Sequence, residues 1–168
     1  MATRIGILSD THSCWDPRFS LHFAQCDEIW HAGDIGDYDV LENLRAIGPK
    51  LRAVHGNIDY GFVKRECPEI LIFTVEDCRV VMTHVGGYPG RYAPGIRQTL
   101  IDHGAKLFIS GHSHILKVMN DPAIGTLHIN PGAAGRHGWH RQRTLVRLTI
   151  DGPSITDLEV IELAAESR

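Results

Sequence analysis

The sequence has no apolar run approaching the roughly 20 residues that cross a bilayer. It also lacks a signal-peptide core: the apolar-rich stretch that follows Arg4 closes at Asp10. No C-x-x-C spacing occurs among Cys14, Cys26, Cys67 and Cys78, so nothing points to a thiolate zinc site or a disulfide framework. These are read as reduced thiols, and a cytoplasmic location is expected. Excess positive charge is missing too. Lys and Arg total 17 against 20 Asp and Glu, a net charge of −3, so no polynucleotide partner is expected. No internal repeat, linker or low-complexity segment divides the chain, and one domain over residues 1–168 is expected.

What the chain does have is histidine. There are 11, several beside Gly, Asp or Asn at the ends of apolar runs. Short runs at 4–8, 28–32 and 51–54 read as buried strands, with helical spacing over 17–24 and 38–47 between them. This strand–helix alternation predicts a layered α/β fold. Further on, 70–75 and 79–83 read as a hairpin, 96–103 as a helix, and 107–110, 115–119, 126–129, 144–150 and 154–163 as strands. Asp151-Gly152 marks the turn of a second hairpin.

Five of the strand-like runs end in ligand-type residues: Asp10-Thr11-His12, Gly33-Asp34, Gly56-Asn57, Thr83-His84 and Gly111-His112-Ser113-His114. In layered α/β sheets, sites form beyond the carboxyl ends of strands. In an extended segment the two-residue spacing of Asp10 and His12, and of His112 and His114, sends each pair to one side. Two carboxylates, one amide and four imidazoles suit borderline divalent metals. The number of ligands exceeds what one open catalytic ion uses and suits two, a pairing that serves in-line displacement at phosphorus.

In this order the motifs resemble those of the calcineurin-like metallophosphoesterases: D-x-H, GD, GN, H and GH-x-H. The SDTH and INPG segments and the short length make the chain most similar to the small bacterial and archaeal phosphodiesterase subgroup. The resemblance implies a β-sandwich flanked by helices in a four-layer α/β arrangement. It implies that Asp10, His12 and His114 hold one ion, that Asn57, His84 and His112 hold the other, and that Asp34 bridges them. The cofactors would be two divalent transition-metal ions, manganese first, with iron, nickel or zinc as alternatives. The implied activity is hydrolysis of a small phosphodiester or nucleotide-like substrate, a metal-activated water attacking in line at phosphorus. No membrane partner is implied, and self-association is left open. The alternative is a non-catalytic protein-interaction scaffold on the same fold, as in one retromer subunit.

The chain departs from the wider family at one position. Where many members read GNHD, with a histidine assigned to the leaving group or to phosphate, this chain has Gly56-Asn57-Ile58-Asp59. Ile58 donates neither a proton nor a hydrogen bond. His55 is then a candidate phosphate contact or proton donor, and Asp59 a candidate for orienting a ligand. His31 is expected to support the site by packing rather than to ligate. Residues 136–143 and 88–94 are candidate rims.

Overall fold

The structure is a computed structural model and describes residues 2–164. In chain order its elements are β1 (Ala2–Leu8), α1 (Pro17–Phe23), β2 (Glu28–His31), α2 (Tyr38–Ile47), β3 (Lys50–Ala53), α3 (Gly61–Glu66), β4 (Ile70–Val75) and β5 (Cys78–Thr83). There follow β6 (Gly87–Tyr88), β7 (Arg91–Tyr92), α4 (Ile96–Asp102), β8 (Leu107–Ile109), β9 (Lys117–Asp121), β10 (Thr126–Asn130), β11 (Arg143–Asp151) and β12 (Ser154–Leu163).

Two five-stranded mixed sheets form, in the orders β12-β11-β1-β2-β3 and β4-β5-β8-β10-β9. The period-2 alternation of each strand decides which layer it feeds. From the first sheet Ile5, Ile7, Trp30, Val146 and Leu148 meet Val80, Met82, Leu107, Ile109 and Ile129 from the second, and this is the sandwich core. Leu8, Ile29 and Leu145 point the other way, onto Phe19 and Phe23 of α1 and Val40, Leu41 and Leu44 of α2. Val81 and Phe108 point outward from the second sheet onto Leu100 of α4. The result is helix, sheet, sheet, helix, the expected layering. Gly6 shows how close the outer layer sits, because a Cβ there would run into the Phe23 ring.

Helix α1 starts cleanly because Asp16 accepts the Arg18 backbone N–H at 2.9 Å and Pro17 opens the first turn. Helix α3, not expected from the sequence, buries only Val63 and is too short to show a 3.6-residue period. The β6–β7 hairpin, likewise unexpected, lies inside the Gly/Pro-rich segment. Strand β9 begins two residues later than expected, since Ile115 and Leu116 leave the turn that carries His112 and His114.

Strands β1, β2 and β3 are parallel neighbours, as are β5 and β8 in the facing sheet. Their carboxyl ends deliver the motif residues: Asp10 and His12 follow β1, Asp34 follows β2, Asn57 follows β3, His84 follows β5, and His112 and His114 follow β8.

Candidate metal centre

The loops that leave these strands turn sharply. Asp10, His12, Asp34, His112 and His114 all have positive φ, between 44° and 74°. Left-handed backbone is uncommon for residues with a Cβ and persists where the surroundings over-determine it. Here the surroundings are backbone hydrogen bonds between the loops. Asp10 N–H donates to Gly33 O at 2.9 Å, His12 N–H to Asp34 O at 3.0 Å, and Gly111 N–H to His84 O at 3.0 Å. The extended geometry expected for the D-x-H and H-x-H pairs is therefore corrected. Asp10 and His12 do converge, whereas His112 and His114 diverge, each to a different group.

Two clusters result. Asp10, His12 and His114 form one, and Asp34, His84 and His112 the other, each with ligand atoms within 4.8 Å of one another. They share a boundary. Asp34 Oδ2 lies 3.3 Å from His12 Nε2 and 3.1 Å from His84 Nε2, one ring from each cluster. Asp10 Oδ1 lies 3.1 Å from His114 Nε2 and 3.8 Å from both His12 Nε2 and His84 Nε2. Asn57 joins the second cluster, with its Oδ1 3.0 Å from His112 Nδ1.

The donor chemistry calls for cations. His84 Nδ1 donates to Ala32 O at 2.8 Å, which fixes the tautomer and aims the Nε2 lone pair at the two carboxylates. His84 Nε2, His12 Nε2 and Asp10 Oδ1 are all buried without a hydrogen-bond partner. Buried polar atoms are satisfied as a rule, and an orphan group points to an ion or water. Lone pairs facing carboxylates need a proton or a metal between them. Burial works against a charge on His84, yet Asp34 and Asp10 outweigh it and raise its pKa. The Asp10 carboxylate likewise raises that of His12. A divalent ion satisfies the same atoms without the proton, and the residues present fit such ions.

A layer of fixed groups holds these loops. Burial keeps His31 neutral and pushes its pKa down to about 4. Its Nδ1 accepts the Gly33 N–H at 3.0 Å, so its Nε2–H donates to Thr11 Oγ1 at 3.0 Å, and Thr11 donates on to Ile35 O at 2.8 Å. One imidazole thus ties the Asp10–His12 loop to the Gly33–Asp34 loop, as its supporting role predicted. The Asp59 carboxylate accepts N–H groups of Ile35, Gly36 and Gly56, binding the Asp34 and Asn57 loops together. Gly56 cannot carry a Cβ, which would meet the Asp34 carboxylate.

Other expected site residues are placed differently. His55 Nδ1 donates to Cys67 O at 2.8 Å, and the residue lines a small cavity of about 160 Å³ behind Asn57 and His84. The main cleft, about 550 Å³, is walled by His12, Asp34, Asn57, Ile58, His112 and His114. His55, a candidate phosphate contact or proton donor, is not among its walls. The 136–143 segment splits. Arg143 turns away to Asp16 at 3.1 Å, while His137 and His140 enter the cleft. The His137 ring stacks on His12 at 4.6 Å between centroids and 21° between planes. His137 lies in the 136–143 segment expected as a rim, and the β10–β11 connection brings that loop over the site.

A second buried histidine gives a pH test. Burial pushes His128 of β10 down to about 4. The unfolded chain protonates such a group near its ordinary value of about 6.5, so between roughly pH 6.5 and 4 it binds more protons than the fold. Stability from His128 is complete above that window and is lost as pH falls through it, at up to about 1.4 kcal/mol per pH unit. His128→Phe should therefore flatten the acid-side fall of metal-free stability. Urea denaturation from pH 7 to 4.5 checks this, and parallel curves for the two proteins would refute it.

The comparisons with known proteins point the same way. The chain matches the model of the calcineurin-like phosphoesterase superfamily domain over residues 3–152. A probable metallophosphoesterase from Methanothermobacter thermautotrophicus is 31% identical over 171 residues, covering 96% of this chain and 93% of its own. Among solved structures, an archaeal phosphodiesterase superposes with a TM-score of 0.73 at 20% identity, over 95% of this chain and 99% of that one. Zinc-complexed Vps29 from Entamoeba histolytica superposes with a TM-score of 0.74 at 14% identity, over 95% and 98%. With this family match over most of its length and a relative of nearly the same extent, the chain belongs to the calcineurin-like phosphoesterase superfamily.

Proposed function

We propose that the chain is a metal-dependent phosphodiesterase with a dinuclear centre, and the observation that carries this is the single Asp34 oxygen facing one histidine of each cluster. Asp10, His12 and His114 would hold one ion, Asn57, His84 and His112 the other, and Asp34 would touch both. Manganese is the first choice for this nitrogen and oxygen donor set, with iron, nickel or zinc behind it. When bound, the pair supplies an activated water and charge stabilisation at phosphorus. His31, Thr11 and Asp59 keep the ligand loops in register. Asp10 and Asp34 contribute two negative charges, so a doubly divalent centre stays net positive and favours an anionic diester. The reaction adds water across one ester P–O bond, releasing an alcohol and a phosphomonoester. The phosphodiesterase description of the archaeal neighbour supports this reading.

Elemental analysis should find close to two ions per chain after reconstitution, and bis(4-nitrophenyl) phosphate should be hydrolysed only by the loaded protein. Inorganic phosphate should compete with the diester. A fully loaded protein that hydrolyses no diester would instead favour the scaffold reading. That reading draws on the Vps29 likeness and on Tyr60 and Phe62 at the start of α3, 76% and 66% exposed.

A further inference from the structure

Asp10, His12 and His114 of the first group come from the loops that follow β1 and β8. A third loop, residues 135–140 between β10 and β11, touches all three. Gly135 N–H donates to Asp10 O at 3.1 Å. The His137 ring stacks on His12. The His140 ring meets His114 edge-on, with centroids 5.2 Å apart and 78° between planes. Gly138 sits against both of these last two rings. Its φ of 126° disfavours any residue with a Cβ, and a Cβ there would come within 2.4 Å of His114 Nδ1 and 3.1 Å of His140 Nδ1. The base of the loop is tied, because Arg143 Nε donates to Ala134 O at 2.8 Å and its Nη2 reaches Asp16 at 3.1 Å. The second group is oriented from elsewhere, His84 by Ala32 O and His112 by Asn57.

The protons on these rings are complementary. His140 Nε2 lies 2.7 Å from Gly135 O. A carbonyl only accepts, so Nε2 carries the proton and Nδ1 of the neutral ring is an acceptor. That Nδ1 is buried and has no hydrogen-bond partner. His114 presents its Nε2 to Asp10 Oδ1 at 3.1 Å. A ring that ligates through Nε2 keeps its proton on Nδ1, and ligating histidines almost always donate that proton to a neighbour. The orphan acceptor of His140 and the Nδ1 of His114 flank the same glycine.

We propose that the 135–140 loop sets the occupancy of the ion held by Asp10, His12 and His114, and that His140 is its positioning residue, accepting a hydrogen bond from His114 Nδ1. The inference rests on the dinuclear reading and adds that the two ions are held with separately adjustable strength. Gly135 O fixes the proton of His140, His140 fixes that of His114, and the His114 Nε2 lone pair is thereby aimed at the Asp10 side of the centre.

Zinc titrated into the metal-free protein, followed by the nitrogen NMR signals of the His84 and His114 rings, reads the two sites apart. In wild type both rings should respond, with two ions per chain at saturation. His140→Phe keeps a ring and removes the acceptor, and Gly138→Ala drives a methyl group against both imidazoles. Each should weaken zinc at His114 by about 10–100-fold, the usual effect of losing a group that orients a ligand, and leave the His84 midpoint in place. His140→Asn, whose Oδ1 can stand in for Nδ1, should recover most of the loss. An unchanged His114 midpoint in either of the first two variants overturns the proposal while the dinuclear reading stands. So does weakening at His84 as large as that at His114, since the loop would then support the whole centre. His140→Asn as weak as His140→Phe removes the hydrogen bond from His114 and with it the positioning role. A wild type in which the two rings do not both take up zinc defeats the dinuclear reading and this proposal with it.

Discussion

Asp34→Asn should lower turnover of an aryl diester by more than about a hundredfold and reduce bound metal below two ions per chain. Outer groups that merely orient ligands cost about 10–100-fold when removed, and Asp34 is closer to the proposed chemistry than any of them. Its Oδ2 faces His12 and His84, and its Oδ1 accepts the Ile58 N–H at 3.1 Å. The amide keeps the shape and the Oδ1 hydrogen bond but loses the negative charge. It also brings an NH₂ group to a place where cations are expected. Asp59→Asn is the control, because Asp59 accepts only backbone N–H groups and acts through loop position. It should weaken activity by a smaller factor with near-normal metal content. Near-normal rate and stoichiometry in Asp34→Asn would remove Asp34 from the bridging role.

The layering was legible because strands β1, β5 and β8 carry apolar residues on both faces, and helix α2 carries an unbroken 3.6-residue pattern. The residues that gather into the two candidate metal groups were legible from motif order. What the residues at 10–12 and 112–114 did not reveal is the left-handed backbone that sorts them, since positive φ at Asp and His depends on hydrogen bonds to loops distant in sequence. His55 illustrates the converse. Its neighbours Gly56 and Asn57 belong to the site, yet one carbonyl, that of Cys67, turns its ring aside. His137 and Tyr88 fall in the 136–143 and 88–94 segments expected as rims, whereas His128 comes from a strand with no motif, and only the sheet order β5-β8-β10 brings β10 beside the site.

The leaving group gives the second large effect. Ester cleavage needs a proton for the departing oxygen when that oxygen is basic, and general acid catalysis contributes about 10²–10⁴-fold. At the position where the wider family carries a histidine, this chain presents Ile58, which is 39% exposed and walls the cleft beside His112 and His114. His55 turns its ring to Cys67 O and lines the small cavity with Asn57 and His84 rather than this cleft. Aryl diesters, whose phenolates leave without help, should therefore be hydrolysed about 10²–10⁴-fold faster than alkyl diesters beyond what metal activation alone predicts. A plot of log kcat/KM against leaving-group pKa should be steep for wild type and flatter for Ile58→His, whose ring would enter the same cleft. A shallow wild-type slope would show that another acid already serves. His137, stacked on His12 in the cleft, is then the first group to remove. In that case His137→Ala should steepen the slope, and alkyl substrates should lose more rate than aryl ones.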